Sequence, residues 1–308
     1  MLMTAVESYL TVRRAVGYKL QETGRMLRKF AGFAMHKGDC FIRSETAIEW
    51  AGTGSSPRQR ARQLQVVVHL ARYLRAEDPR HEIPPGSVFV CKRQRPIPFI
   101  YKQSDIVRLV HQATRLKPAR LEPADSSLPV TLSTLLCLLA STGLRPSEAL
   151  ALRFEDVTSD GLLIRETKFR KNRLVPLHDS AVAALERYLD QRRRFATSDD
   201  HVFVSPWGRA LKYGYVRKKF RQVVKQAGLE PAVGQPSAQL HAFRHTFAVR
   251  ALETCPDGRD RIGQHMLALS TYLGHARVTD TYWYLQAVPE LMTDIAHASE
   301  SFVKGELS

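Results

Sequence analysis

Ser141-Thr142-Gly143-Leu144-Arg145-Pro146-Ser147-Glu148-Ala149-Leu150 is the stretch on which the fold turns. The run from Leu132 to Ser141 before it is strongly apolar and predicts a buried helix. Gly143 ends that helix, Arg145 emerges in the turn, and Pro146 opens the next helix at its first position. Such a corner holds a guanidinium on a rigid support. Taken alone, a structural salt bridge with Glu148 explains the arginine at least as well.

Downstream, Leu162-Leu163-Ile164 and Leu174-Val175-Pro176-Leu177 flank Lys168-Phe169-Arg170-Lys171-Asn172 and predict a β-hairpin with a basic tip. Helices are expected at 180–194, 213–227, 241–254 and 262–273, and Ser104-Asp105 reads as the cap of a helix through Val107 and Val110. Upstream, the first ninety or so residues read as helical. Val6, Leu10 and Val12 open one apolar face, and Leu20, Leu27, Phe30 and Phe33 carry another. Gly38-Asp39 closes a helix, and Ser44 is placed as the N-cap of the next. After the Gly52-Thr53-Gly54-Ser55-Ser56-Pro57 break comes a helix that buries Leu64, Val67, Val68, Ala71 and Leu74. Arg58, Arg60 and Arg62 stand on its first turns, where unpaired N–H groups favour phosphate.

Charge says more about partners than about fold. The 308 residues carry 46 Lys+Arg against 30 Asp+Glu, a formal +16. That surplus implies an anionic partner, either nucleic acid or an acidic membrane surface. Residues 1–95 hold 17 Lys+Arg and 8 Asp+Glu, so the surplus is densest there. The longest apolar run, around Leu135 to Ala140, is far short of the ~18–20 residues that span a bilayer. The N-terminus has no secretory pattern, so a cytoplasmic, nucleoid-associated location is expected. Cys40, Cys91, Cys137 and Cys255 are scattered and read as free, mostly buried thiols, with no disulfide framework or zinc finger. Lys92-Arg93-Gln94-Arg95-Pro96-Ile97-Pro98 reads as a linker in which Lys92, Arg93 and Arg95 could track a nucleic-acid backbone. The expected organisation is a helical domain at 1–95 and a mixed domain at 96–308, mainly α with a small β-sheet.

Three further segments carry candidate chemistry. A lysine at a hairpin tip, Lys168, is usually just solvated. In Leu240-His241-Ala242-Phe243-Arg244-His245-Thr246-Phe247, His241, Arg244 and His245 share a helix face. Metal binding there is disfavoured, because the glutamate of H-E-x-x-H is missing and Arg244 would repel a cation. In Tyr272-Leu273-Gly274-His275-Ala276-Arg277-Val278-Thr279-Asp280-Thr281-Tyr282-Trp283-Tyr284-Leu285, a histidine follows a helix-ending glycine, and buried aromatics are the common explanation for the rest. Together the segments supply two arginines, a lysine, histidines and tyrosines. That inventory suits metal-free phosphoryl transfer, with arginine forks on the non-bridging oxygens and a tyrosine as nucleophile.

The order T-G-L-R-P-S-E-A-L, K-x-x-x-x-R-L-V-P-L, H-A-F-R-H-T-F, L-G-H and a tyrosine nine residues beyond resembles the tyrosine recombinase (phage integrase, Xer-type) superfamily along essentially the whole chain. The resemblance implies a SAM-like helical core-binding domain followed by a catalytic domain. It implies that Arg145 and Arg244 clamp the scissile phosphate and that Lys168 protonates the departing 5′ oxygen. His241 would assist proton transfer at the nucleophile, and His275 would hydrogen-bond the phosphate. Tyr284 would attack to form a 3′-phosphotyrosyl link. No metal, ATP or other cofactor is implied. Tyr282 competes with Tyr284 as nucleophile and Lys171 is a weaker rival to Lys168, while His245 is assigned to packing or support.

The segment Pro256–Arg261 lengthens the path to Leu273 beyond what is usual for the family. L-S-T-Y-L-G-H and Y-W-Y-L are similar to segments of mobile-element recombinases, which favours an integrase or transposase acting on double-stranded DNA. It would work as a homotetramer, or as a mixed tetramer with a related recombinase, with no membrane involved. No additional arm-site DNA-binding domain is expected before the core-binding helices. A chromosome-dimer-resolving Xer-type enzyme is the alternative, followed by a type IB topoisomerase or a non-catalytic DNA-binding protein. The tail from Leu285 to Ser308 offers Leu291, Ile295 and Phe302 for docking in cis or on a neighbouring protomer.

Overall fold

A computed structural model describes residues 2–91, 98–120, 122–123, 127–165, 172–195, 197–232, 235–254, 262–275, 277–282 and 284. The expectations for Lys92, Arg93, Arg95, Lys168, Lys171, the 256–261 segment and the 285–308 tail lie outside these residues. The chain divides into two compact units, Met1–Arg95 and Pro96–Ser308.

The first unit is built from α1 (Leu2–Ala15), α2 (Gln21–His36), α3 (Ser44–Gly52) and α4 (Pro57–Arg75). Each is amphipathic, and the buried faces close on Leu10, Leu27, Phe30, Trp50, Leu64 and Val67. Phe30 and Trp50 meet with ring centroids 5.4 Å apart. The end of α2 is sealed by the Asp39 N–H donating to Ala34 O at 3.0 Å. Ser56 caps α4 by accepting from the Gln59 N–H, ahead of Pro57 at the first position. Two local expectations are corrected. Ser44 is the first residue of α3 rather than its cap, because the Glu82 carboxylate accepts the Ser44 N–H at 2.8 Å and takes over capping. Val12 lies on the solvent side of α1, whose core face is Leu2, Val6, Tyr9 and Leu10.

The second unit holds α5 (Gln103–Thr114), α6 (Leu128–Thr142), α7 (Pro146–Ala151), β1 (Val157–Thr158), β2 (Gly161–Ile164) and β3 (Arg173–Val175). It continues with α8 (Asp179–Arg193), α9 (Tyr213–Gln226), α10 (Ala242–Glu253), α11 (Ile262–Leu273) and the short α12 (Thr279–Tyr282). The apolar α6 is the hub, with Leu132, Leu135, Leu136 and Leu139 fully buried and α5, α8 and α10 packed around it. The three strands form one antiparallel sheet in the order β1-β2-β3, with Leu162 opposite Val175 and Ile164 opposite Arg173. A further apolar cluster joins α10 to α11 through Ala248, Val249, Leu252, Met266, Leu269 and Leu273 and includes Tyr284.

The cap of α5 also differs from expectation. Lys102 occupies the cap position and Asp105 accepts its N–H at 2.9 Å, while Val107 faces solvent. Cys40, Cys91 and Cys137 are exposed rather than buried. Among the described residues, no helix is long and apolar enough to cross a membrane.

Candidate active site

The Arg145 corner forms as its residue types require. Gly143 adopts φ +61°, which reverses the chain after α6, and a Cβ there would lie 2.6 Å from the Phe247 ring. Leu144 buries its side chain, and Arg145 takes the extended conformation that a following proline imposes. Glu148 then accepts the Arg145 N–H at 2.9 Å and Arg145 Nη1 at 2.6 Å. Arg145 Nη2 reaches Gly274 O at 3.4 Å. The corner and the ion pair to Glu148 are therefore both real. The carboxylate anchors the arginine, which keeps 28% of its side chain exposed.

On α10, Arg244 is almost wholly buried and caps the C-terminal ends of two other helices. Its Nη1 donates to Gly143 O at 3.0 Å and its Nη2 to Leu273 O at 2.6 Å. Burial and the Arg145 charge push its pKa down to about 10, so it remains a cation at neutral pH. His241 and His245 follow the helix repeat, with ring centroids 4.8 Å apart. Burial, then its cationic neighbours, lowers the pKa of His241; burial, then His241 and Arg244, pushes His245 down to about 4.

Gly274 ends α11 at φ +66°, and the His275 N–H closes the turn on Ser270 O at 3.0 Å. His275 Nδ1 pairs with the buried Thr281 hydroxyl at 2.7 Å, which fixes the ring from α12. Burial, Arg244 and Arg145 push its pKa down to about 4. Tyr284 is 3% exposed. Its ring lies 5.6 Å from His245 and 6.1 Å from His275, nearly parallel to the latter. Burial raises the phenol pKa, against the opposing charge and hydrogen bond of Arg244 and the charge of Arg145. Tyr282, by contrast, is 51% exposed.

Arg145, Arg244, His241, His275 and Tyr284 thus converge, with His245 among them. The arrangement presents two fixed guanidiniums, neutral imidazoles and a phenol in one partly dehydrated place. It can bind a phosphodiester and deliver an oxygen nucleophile to it. Among the described residues, Asp199, Asp200 and His201 form a trio within metal-ligating reach. Their acceptors are already engaged: Asp199 takes N–H groups of His201 and Ala210, and Asp200 pairs with Arg153.

Sequence reasoning gave no role to Arg173. The K-x-x-x-x-R-L-V-P-L spacing contained it, but its partners Glu148 and Tyr272 lie 25 and 99 residues away. In the first unit, Arg58 and Arg62 line a cleft with Arg25, Lys29 and Trp50. Arg60 is placed differently, its Nε donating to Gly54 O at 2.9 Å.

The chain as a whole is similar to known proteins. The model of the phage integrase family matches residues 102–290. The candidate integrase/recombinase y4rB of Sinorhizobium fredii is 38% identical over 297 residues, covering 94% of each chain. Tyrosine recombinase XerD of Brucella abortus is 29% identical over 299 residues, covering 93% of each. Among solved structures, a lambda integrase tetramer bound to a Holliday junction matches with a TM-score of 0.65 at 16% identity, over 92% of this chain and 76% of that one. This chain belongs to the phage integrase family, the tyrosine-type site-specific DNA recombinases. It is an enzyme of DNA strand breakage and rejoining.

Proposed function

We propose that this chain is the recombinase of a mobile element, cutting and rejoining duplex DNA through a 3′-phosphotyrosyl intermediate. The observation that carries the reading is the Tyr284 phenol, buried against the His245 and His275 rings. In this mechanism Arg145 and Arg244 hold the non-bridging oxygens and offset the charge that grows on them. His275, whose Nδ1 is held by Thr281, offers Nε2 to the same phosphate. Tyr284 Oη attacks phosphorus as its proton passes to His241, and the P–O5′ bond breaks. Lys168 gives the departing oxygen a proton, leaving a free 5′-hydroxyl. That hydroxyl from a partner duplex attacks the phosphotyrosyl bond and regenerates the phenol. Bond energy is conserved in the covalent link, so ATP is unnecessary.

Residues 1–95 serve as the core-binding domain in this reading. Arg58, Arg60 and Arg62 contact the DNA backbone there, Lys92, Arg93 and Arg95 follow it through the linker, and four protomers meet on two duplexes. The lambda integrase assembly on a Holliday junction supports DNA and the tetramer as partners, and y4rB supports integration. Similarity to the tyrosine recombinase XerD keeps an Xer-type enzyme as the alternative reading. The decisive experiment uses a nicked duplex that lets the cleaved strand diffuse away, with adducts resolved on a denaturing gel. Tyr284→Phe is expected to form no adduct while still shifting the duplex, and Tyr282→Phe is expected to form it. The opposite pattern would move the nucleophile to Tyr282.

A further inference from the structure

We infer that Arg173 is a positioning residue for the phosphate clamp, locking the Arg145 corner to the turn that carries His275. The inference rests on the recombinase reading above and adds to it a residue whose guanidinium is bonded to protein groups. Arg173 begins β3, and its side chain is 11% exposed. Nη1 and Nη2 donate to Glu148 Oε1 and Oε2 at 3.1 and 2.8 Å, a two-pronged grip on one carboxylate. Nε donates to Tyr272 O at 2.9 Å, in the last turn of α11. All three of its nitrogens are thereby committed.

The grip has a consequence for Arg145. Glu148 is a carboxylate with two guanidinium neighbours and 9% side-chain exposure. Because Arg173 takes both oxygens, the Arg145 guanidinium meets the carboxylate through Nη1 alone, beside the backbone N–H that caps α7. Among the described residues, its Nη2 keeps only the long contact to Gly274 O. Without Arg173, the carboxylate is free to close on both nitrogens of Arg145 and draw that charge away from phosphate. The same guanidinium packs on Gly274, where a Cβ would lie 2.8 Å from Arg173 Nη1. The residue before His275 therefore has a packing reason to be glycine as well as a conformational one, φ +66°. Lysine could supply the charge but not the fork, since one nitrogen cannot serve Glu148 twice and Tyr272 O at once.

The test uses the full chain and a nicked duplex selected from a random pool by covalent trapping on the wild-type protein. Arg173→Ala and Arg173→Lys are compared with wild type for melting temperature, duplex affinity and single-turnover adduct rate at saturation. The scissile group is either the normal phosphodiester or a neutral methylphosphonate, which removes the charge that the clamp must balance. For Arg173→Ala we expect affinity within about threefold of wild type and cleavage of the phosphodiester slowed about 30- to 100-fold. On the methylphosphonate the same variant should trail wild type by less than about fivefold. Arg173→Lys should fall between wild type and Arg173→Ala on the phosphodiester, and it decides the matter by the same comparison if Arg173→Ala fails to fold. Equal slowing on both substrates, or a phosphodiester rate near wild type, overturns the inference while leaving the recombinase reading intact. A wild-type chain that traps no duplex overturns that reading, and the inference with it.

Discussion

His245 and His275 sit among cations with little water to share the charge, and both are held at about 4 while His241 is lowered in the same direction. An unfolded histidine titrates near ~6.5, so over this interval the unfolded chain binds more protons than the folded one. Folded-state stability is thus fully present above about pH 6.5 and is lost as pH falls toward about 4. Glu148 works in a lower window: it is held at about 2 against burial by Arg173 and Arg145, so its share is lost only between about 4.5 and 2. Thermal melts of the DNA-free protein should show Tm declining from pH 7 to pH 4.5, and His275→Asn should flatten part of that decline. A Tm that stays level across the interval would mean these rings titrate normally. At pH 7 the imidazoles are neutral, which in the proposed mechanism suits His241 to accept the Tyr284 proton.

Three helix starts in the second unit share a device. At α5, α7 and the 3-10 turn Phe154–Asp156, a basic residue occupies the cap position and the acid three residues on accepts its N–H: Lys102 with Asp105, Arg145 with Glu148, Arg153 with Asp156. The acid does the capping, which releases the cap side chain for other work, and at Arg145 that work, in the proposed mechanism, is the clamp. This explains what the sequence made legible. The α6 run, the Gly143 stop and Pro146 are local signals, and so was the existence of the Arg145 corner. Whether Glu148 anchored the arginine or merely neutralised it depended on Arg173, whose contacts join residues far apart in sequence. Val12 and Val107 failed for a related reason, since short apolar spacings do not say which of two faces meets a core. The corner itself can be tested. Gly143→Ala faces both a left-handed backbone and the Phe247 ring, whereas Gly228→Ala has φ +64° with open space around its Cβ. Urea unfolding should show Gly228→Ala losing about 1 kcal/mol and Gly143→Ala about 2 to 4. Equal losses would mean that Phe247 yields freely.

Across the whole molecule, the +16 divides by task as well as by place. Each unit has its own apolar core, one centred on Phe30 and Leu64 and the other on α6. The surplus is concentrated in the smaller unit, where Arg58, Arg62, Arg25 and Lys29 gather at one exposed cleft. Arg244 is nearly sealed, and Arg145 and Arg173 share one carboxylate, so these three add little to long-range attraction. Affinity and chemistry should therefore separate by mutation. Each phosphate neutralised contributes roughly −0.9 to the slope of log affinity against log salt. A chain carrying Arg58→Gln and Arg62→Gln should lose about 1.8 from that slope, measured by fluorescence anisotropy across a salt series. Its adduct rate at saturating duplex should stay within about twofold of wild type, because neither arginine belongs to the phosphate clamp. Arg145→Gln should do the reverse, losing about 100-fold or more in rate with the slope changed by less than about 1. If the double variant keeps the wild-type slope, the cleft of the first unit is not where the DNA backbone lies, and the basic surplus must be sought on another face.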